Sequence, residues 1–410
     1  MMFRIGDELY HVAHGILMAK QDRRIDTSHT DVLPTSEWKR TFRRRLIGWY
    51  RRHAREMPWR ETRDPYRVWV SEIMLQQTQV ATVVPYFERF IAAFPDIPAL
   101  AAAREDEVLR LWEGLGYYRR ARQMHKAAGV MVEKHDGRFP RDANSAGQLP
   151  GVGRYTLGAI LSIAFDARQP ILEANTVRLL SRLLAFDGDP TRADAQRLLW
   201  AMAEALLPRS EAGRFNQALM ELGSQICLPR GPRCEDCPVM TLCPTRAAGR
   251  QEEIPRTKKK PPPEEVREAA VVVRRRGKVL LLRRDNAGRW AGLWDFPRFE
   301  LSSQRADAVQ RELVEKVRQM TGFSVQPEAK LTTIKHSVTR FRITLECHEA
   351  RYLRQDTKPQ NRPEMRWLLP EELEAFPLSV SGRKLGCLLV EDSDSGAPVS
   401  GSAKRPSAKT

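Results

Sequence analysis

The chain has 410 residues, 42% of them hydrophobic and 29% charged, and 68 Lys and Arg against 51 Asp and Glu leave a net charge of +17. At 47.0 kDa, with a mean hydropathy of −0.49 and a pI near 9.9, it is a water-compatible chain with length for two domains. So large a positive excess suits a polyanion better than a small acidic metabolite, and nucleic acid heads the expected partners. No stretch approaches the ~20 apolar residues of a membrane helix, and the first residues lack a signal peptide's apolar core and cleavage site. Neither membrane spanning nor secretion is expected.

Residues 1–34 show no sustained period and read as a poorly ordered extension, with Met18 an alternative start. Residues 35–248 read as one all-α domain of about nine short helices. Within it Ile73, Val80, Val84, Phe87 and Ile91 recur at helical spacing and predict one long buried stripe. Leu157, Ile160, Leu161 and Ala164 predict a second stripe, and Val177, Leu180, Leu183 and Leu184 a third. Pro and Gly punctuate the runs. Residues 249–263 (GRQEEIPRTKKKPPP) have linker composition. Residues 264–391 then read as an α+β domain. Two β-runs meet at Gly277, a helix covers about 306–320, and further strands fall at 331–335 and 341–349. Residues 392–410 are rich in Ser, Pro, Gly and Lys and read as a disordered tail.

Of six cysteines, Cys227, Cys234, Cys237 and Cys243 fall within seventeen residues as C-x6-C-x2-C-x5-C, while Cys347 and Cys387 stand alone. Clustered thiols without an export signal imply metal binding in a reducing compartment, hence a cytoplasmic location. Four such thiolates suit either a tetrahedral zinc or a four-cysteine iron–sulfur cluster, and spacing leaves the choice open. A second motif is LPGVGRYT, residues 149–156. Its Pro150-Gly151-Val152-Gly153 turn between two helical segments permits φ > 0 and close approach of another chain. Amides at the turn and the next helix start can hold a phosphate, which positions DNA without reading its bases.

Together these motifs resemble the helix-hairpin-helix DNA glycosylases, which end in a [4Fe–4S] cluster with the same cysteine spacing. Within that superfamily SEIMLQQTQVATVVPYFERF (71–90), LWEGLGYYRRAR (111–122), LPGVGRYT and FNQALMELGSQIC (215–227) are similar to the adenine DNA glycosylase (MutY) family. The resemblance covers about 38–246 strongly and 264–390 more loosely. It implies a monomeric enzyme of base-excision repair that removes adenine mispaired with 8-oxoguanine or guanine.

Breaking an adenine N-glycosidic bond needs a protonated leaving group and a stabilised oxocarbenium-like sugar, and two carboxylates can supply both. The resemblance makes Glu72 the acid that protonates adenine N7, and burial beside Trp69, Leu75 and Gln76 favours its acid form. The second carboxylate departs from the family. Where the family has Asp-Gly-Asn, this chain has Glu173-Ala174-Asn175, and Glu173 precedes a helix start that favours an ionised carboxylate. Tyr155 stands where bifunctional relatives carry a Schiff-base lysine, so a monofunctional reaction is expected, with Tyr155 holding the second carboxylate or the sugar. Asn175 completes the catalytic candidates.

The target base must leave the stack. Gln77 and Tyr117 match the family's inserting residues, and Trp59, Arg60 and Gln217 match those lining its adenine pocket. Lys39, Arg40, Arg43, Arg44, Arg45, Arg51, Arg52 and Arg55 crowd one segment and read as a solvated face that adds phosphate contact. The second domain resembles the family's Nudix-like domain through GLWDFP (292–297). Lys316 stands where a metal-binding glutamate of a working Nudix hydrolase is expected, so nucleotide hydrolysis is not expected there. The family's Phe-Ser-His reading loop is replaced by Val338-Thr339-Arg340, with Thr339 in the place of the serine that reads the opposite base. Two other readings are a glycosylase of different specificity, such as thymine mismatches, and a lesion-binding protein of weak catalysis, which Glu173 motivates.

Overall fold

The computed structural model describes residues 33–256, 261–285, 288–356 and 363–395. The expected N-terminal extension lies outside these residues, except for its last two positions. Most of the expected tail does too, but its first residues, through Ser395, continue a helix. No helix among the described residues is long and apolar enough to cross a membrane. Eleven helices lie between Ser36 and Gln225, more than expected because two are single pieces of six and five residues.

The helical half does not form one compact body. One unit joins the N-terminal segment through Ala54 to Arg168–Thr257; the other joins Arg55–Ala167 to Lys258–Thr410.

In the first unit, helix α1 (Ser36–His53) starts at Thr35, whose side chain accepts from the Trp38 amide. It buries Phe42, Leu46, Trp49 and Tyr50, a three-to-four spacing that makes one stripe. That stripe shares a core with Leu180 and Leu183, with Leu199 and Met202, and with Phe215, Leu219 and Leu222. The expected basic face of α1 is only partly solvated. Arg43 donates to the carbonyls of Leu206 and Ala205 at 2.7 and 2.8 Å, closing the end of helix Ala193–Leu206. Arg45 donates to Thr241, and Arg51 pairs with Glu211, whereas Arg40, Arg44 and Arg52 are exposed. Part of the expected linker is also packed here: Ile254 is buried, and Arg250 and Arg256 both pair with Asp187.

In the second unit, helix α2 (Pro65–Leu75) opens with Asp64 as cap and Pro at its first turn, then buries Val68 to Met74 without a break. It is the hub of a core that includes Trp69, Phe87, Phe90, Trp112, Met131 and Ile160. The expected continuous stripe from Ile73 to Ile91 is interrupted. Helix α3 begins only at Val80 and runs to Ala93, and Gln77 between them has φ 59°. Periodicity carried across the gap because both helices bury their apolar residues against one core.

The α+β part of this unit is a seven-stranded sheet whose main path runs Trp294–Asp295 (β3), Lys278–Arg283 (β2), Glu264–Arg275 (β1), Phe341–Gln355 (β6) and Phe323–Val338 (β5). Strands β1 (Glu264–Arg275) and β2 (Lys278–Arg283) are joined through Arg276 and Gly277, both at positive φ, the two-residue hairpin that the break at Gly277 predicted. Alternate β1 residues serve opposite faces: Ala269, Val271 and Val273 pack beside Val309, Leu313 and Val317, while Ala270 and Val272 pack beside Leu385 and Leu389. A sheet buried on both sides needs apolar residues at successive positions. Strands β5 (Phe323–Val338) and β6 (Phe341–Gln355) form a long hairpin turning at Thr339 and Arg340.

Candidate active site

The second unit gathers most of the expected site residues. Helix α2 packs against helix Arg154–Phe165, and this contact brings Glu72 to Tyr155. Glu72 is 5% exposed, and the Tyr155 hydroxyl donates to its Oε2 at 2.7 Å. The sequence pointed Tyr155 toward the second carboxylate or the sugar; the structure gives it the first carboxylate. A buried carboxyl with a neutral donor on one oxygen can give up a proton and leave a hydrogen-bonded anion.

The glycine turn leads straight into this contact. Gly151 has φ 80°, and a Cβ there would meet Gln123 Cβ at 2.8 Å, so only glycine fits. Gly153 caps the twelve-residue helix Arg154–Phe165 without a side-chain bond, and nothing lies within 4 Å of where its Cβ would be. Pro150 and Val152 flank these glycines, and Val152 is buried in the core. An uncapped helix start beside open space is a phosphate-binding arrangement.

Both expected wedge residues stand in left-handed backbone. Gln77 is exposed at φ 59°, and Tyr117 is 48% exposed at φ 48°. Non-glycine residues pay strain there and hold it only when the surroundings fix them. The fixing group is Arg120, which sequence reasoning missed. Its Nη1 donates to the carbonyls of Ile73 (2.7 Å), Met74 (3.0 Å) and Gln76, and its Nη2 to that of Gly116 (3.2 Å). One guanidinium thus joins the end of the Glu72 helix to the turn that presents Tyr117, and burial lowers its pKa to about 10. The only signal was its place three residues after Tyr117, in a run rich in arginine.

Trp59 is buried edge-on to Phe87, with ring centroids 5.3 Å apart, and Arg60 donates to the Arg55 carbonyl. Farther along the same unit, a cavity of about 680 Å³ is lined by Tyr117, Arg289, Trp290, His336 and Thr339, among others. Thr339 has φ 52° at the tip of the β5–β6 hairpin, a strained position for a β-branched residue, and its hydroxyl donates to the Val338 carbonyl. In the Nudix-type helix, Glu312 accepts from the Ser302 and Ser303 amides, and Glu315 pairs with Arg318.

The first unit holds the other candidates. Glu173 caps helix Ala174–Leu183, accepting from the amides of Asn175 (2.7 Å) and Thr176 (2.8 Å). Burial raises its pKa, opposed by those two amides. The helix start therefore engages the carboxylate as expected, but it does not outweigh desolvation. Asn175 accepts at its side-chain oxygen from Arg178 (2.9 Å), which also donates to the carbonyls of Gly223 and Cys227 at 2.7 Å each. Sequence reasoning missed Arg178. Gly223 is required, because a Cβ there would lie 2.9 Å from Asn175 Cβ. Gln217 accepts from the Tyr50 hydroxyl at 2.7 Å.

Cys227, Cys234, Cys237 and Cys243 line one cavity with Leu179, Arg182 and Val239. Arg182 donates to Cys227 Sγ at 3.2 Å, and Arg246 lines the same cavity. Burial pushes the Cys237 thiol up to about 12, so a bound cation is needed to hold all four as thiolates. No three His, Cys, Asp or Glu side chains among the described residues converge tightly enough for a single metal ion. Four thiols around a shared void have the donor chemistry of either a tetrahedral zinc or a four-cysteine iron–sulfur cluster.

Residues 70–205 match the family model described as the HhH-GPD superfamily base excision DNA repair protein, and residues 269–385 match that of the NUDIX domain. The adenine DNA glycosylase of Rattus norvegicus is 34% identical over 396 residues, covering 84% of this chain and 77% of that protein. Its Homo sapiens counterpart is 33% identical over 400 residues, covering 84% and 73%. A solved thermostable thymine-DNA glycosylase is 28% identical with a TM-score of 0.48, covering 52% of this chain and 98% of its own, too slight a likeness to argue from. On the two near-full-length matches, the chain belongs to the adenine DNA glycosylase family.

Proposed function

We propose that this DNA glycosylase hydrolyses the N-glycosidic bond of adenine mispaired with 8-oxoguanine or guanine, without forming an imine with the sugar. The observation that carries the reading is the Tyr155–Glu72 hydrogen bond at 2.7 Å, which puts a phenol on the acid where a lyase needs an amine. With Tyr155 bonded to Oε2, the proton that reaches N7 of the extruded adenine rides on Oε1. Tyr155 then stabilises the carboxylate left behind, and water completes the reaction at the sugar.

Glu173, ionised and held by two amides, supplies the counter-charge to the sugar cation, with Asn175 fixing the cap beside it. Trp59, Arg60 and Gln217 are the candidates for contact with the adenine. Gln77 and Tyr117 fill the gap left by the base, while the Pro150–Gly153 turn holds a phosphate. Thr339 reads the opposite base from the cavity it shares with Tyr117. Cys227, Cys234, Cys237 and Cys243 hold a [4Fe–4S] cluster, which contributes structure to the surrounding loop. The protein works as a monomer on double-stranded DNA in the cytoplasm.

Duplexes containing A opposite 8-oxoguanine, A opposite G and T opposite G test the reading together. Adenine release from the first two, none of thymine from the third, and no borohydride-trapped adduct are expected. Thymine release, or efficient trapping, contradicts it.

A further inference from the structure

The loop that carries Tyr117 is anchored at its start by Glu113, which lies within the run LWEGLGYYRRAR but has no role in the reading so far. Glu113 is 8% exposed, and both its oxygens are taken: Arg383 Nε donates to Oε1 at 2.8 Å and Nη2 to Oε2 at 2.9 Å. The Leu378 amide adds a third bond to Oε2 at 3.2 Å. Its own carbonyl accepts from the Tyr86 hydroxyl at 2.8 Å, and that hydroxyl fills the space a Cβ on Gly114 would need. From there Gly114, Gly116 and Tyr117 have φ of 101°, 72° and 48°. Four residues of left-handed and turning backbone thus hang from one fixed carboxylate.

The other end of the pair belongs to the cavity wall. Arg383 lies in helix Val380–Ser395, and Val380, Ser381 and Lys384 of that helix line the cavity with Tyr117 and Thr339. Arg383 is itself clamped to the carbonyls of Leu373 and Phe376 at 2.8 and 2.6 Å. A second grip lies at the other end of helix Glu105–Trp112, which Glu113 caps: there Asp106 accepts from Arg283 (3.1 Å) and from the Trp294 indole (3.4 Å). Leu293 completes the join by entering the helical core cluster. A partly buried, two-point arginine–carboxylate pair fixes direction as well as distance, because the planar guanidinium meets both carboxylate oxygens.

We infer that the Glu113–Arg383 pair is a positioning device that couples the Tyr117 wedge to the base read at the Thr339 hairpin. When the cavity wall settles on the correct opposite base, Arg383 holds Glu113, and through it the strained loop, in the geometry that keeps the adenine extruded. Glu113 touches no reacting atom. The inference rests on the reading of the cavity as the opposite-base site.

The test is single-turnover adenine release by the full-length protein from duplexes with A opposite 8-oxoguanine and A opposite G. Coupling through one such element is expected to lower the ratio of the two rates about 10-fold in Glu113→Gln. Glu113→Asp, which keeps the charge but shortens the reach, should lower it less. If Glu113→Gln does not fold, Arg383→Lys carries the same expectation, since lysine keeps the charge but loses the two-point contact. A ratio equal to wild type in these variants, whether both rates fall together or neither does, leaves a mere strut and overturns the coupling. A wild-type enzyme with no preference for 8-oxoguanine fails earlier, on the cavity reading itself, and removes the proposal with it.

Discussion

The Tyr155 hydroxyl lies 2.7 Å from Oε2 of a Glu72 carboxyl that is almost wholly buried. This contact joins the glycine turn, whose helix carries Tyr155, to the helix that presents the acid. Tyr155→Phe removes one hydrogen bond to the carboxylate that forms as the proton leaves. A bond to a charged group is worth roughly 1.5–3 kcal/mol, so adenine release should slow about 10- to 100-fold. Stopped single-turnover assays, with duplex affinity measured alongside, check that the loss is in the rate and not in binding.

Arg120 should behave as a shape residue and not merely as a charge. Arg120→Lys keeps a cation but cannot reach the carbonyls on both sides, from Ile73 to Gly116. We expect a loss of stability of about 1–3 kcal/mol in urea unfolding, and weaker discrimination between mispaired and fully paired duplex. Wild-type values for both would remove it as the clamp of the two wedge turns.

Glu173 gives a pH signature. Its folded-state pKa is raised by burial, so the ionised form that the proposed reaction needs is reached only above the ordinary glutamate range. The single-turnover rate should therefore rise with pH through that raised value on the acid side. Glu173→Gln should flatten this limb and lower the plateau about 10²–10³-fold, the cost of a lost transition-state charge contact. Glu173→Asp should keep the limb. An unchanged acid limb in Glu173→Gln assigns it to another group.

Arg178 ties Asn175 to the carbonyls of Gly223 and Cys227. Arg178→Ala leaves three acceptors without that donor and should cost about 1–3 kcal/mol of stability. The same variant should lose iron more readily to a chelator, because the Cys227 backbone is no longer held. Iron release at the wild-type rate, followed by absorbance in the visible blue, would argue against that link.

The cluster assignment has its own check. Anaerobically prepared protein should be brown and hold about four irons per chain. Stoichiometric zinc without iron overturns it. Replacing Cys237 by Ser should cost both the colour and the folded loop.

Some of these features are legible in the sequence. Cysteine spacing marks a shared thiol site because metal ligation constrains local chain geometry. Gly277 marks a hairpin because only certain residues accept its backbone. What escaped was whatever depends on residues distant in sequence. Nothing near Arg120 shows that it reaches back to Ile73, and Arg43 reads as a surface charge until helix Ala193–Leu206 ends beside it. The break at Gln77 was hidden for a different reason: two helices facing one core keep a common period across the gap. The division into two units was equally hidden, since the first unit is built from segments more than a hundred residues apart.

Glu72 is proposed to be the acid that releases adenine. Glu72→Gln preserves the shape of the buried side chain but cannot donate the proton. Adenine release from a duplex with A opposite 8-oxoguanine, measured in a single turnover beside the affinity for the same duplex, tests this most directly. The release rate should fall at least about 100-fold below wild type, with binding largely kept. Release by Glu72→Gln at a rate near wild type would contradict it and place the acid on another residue.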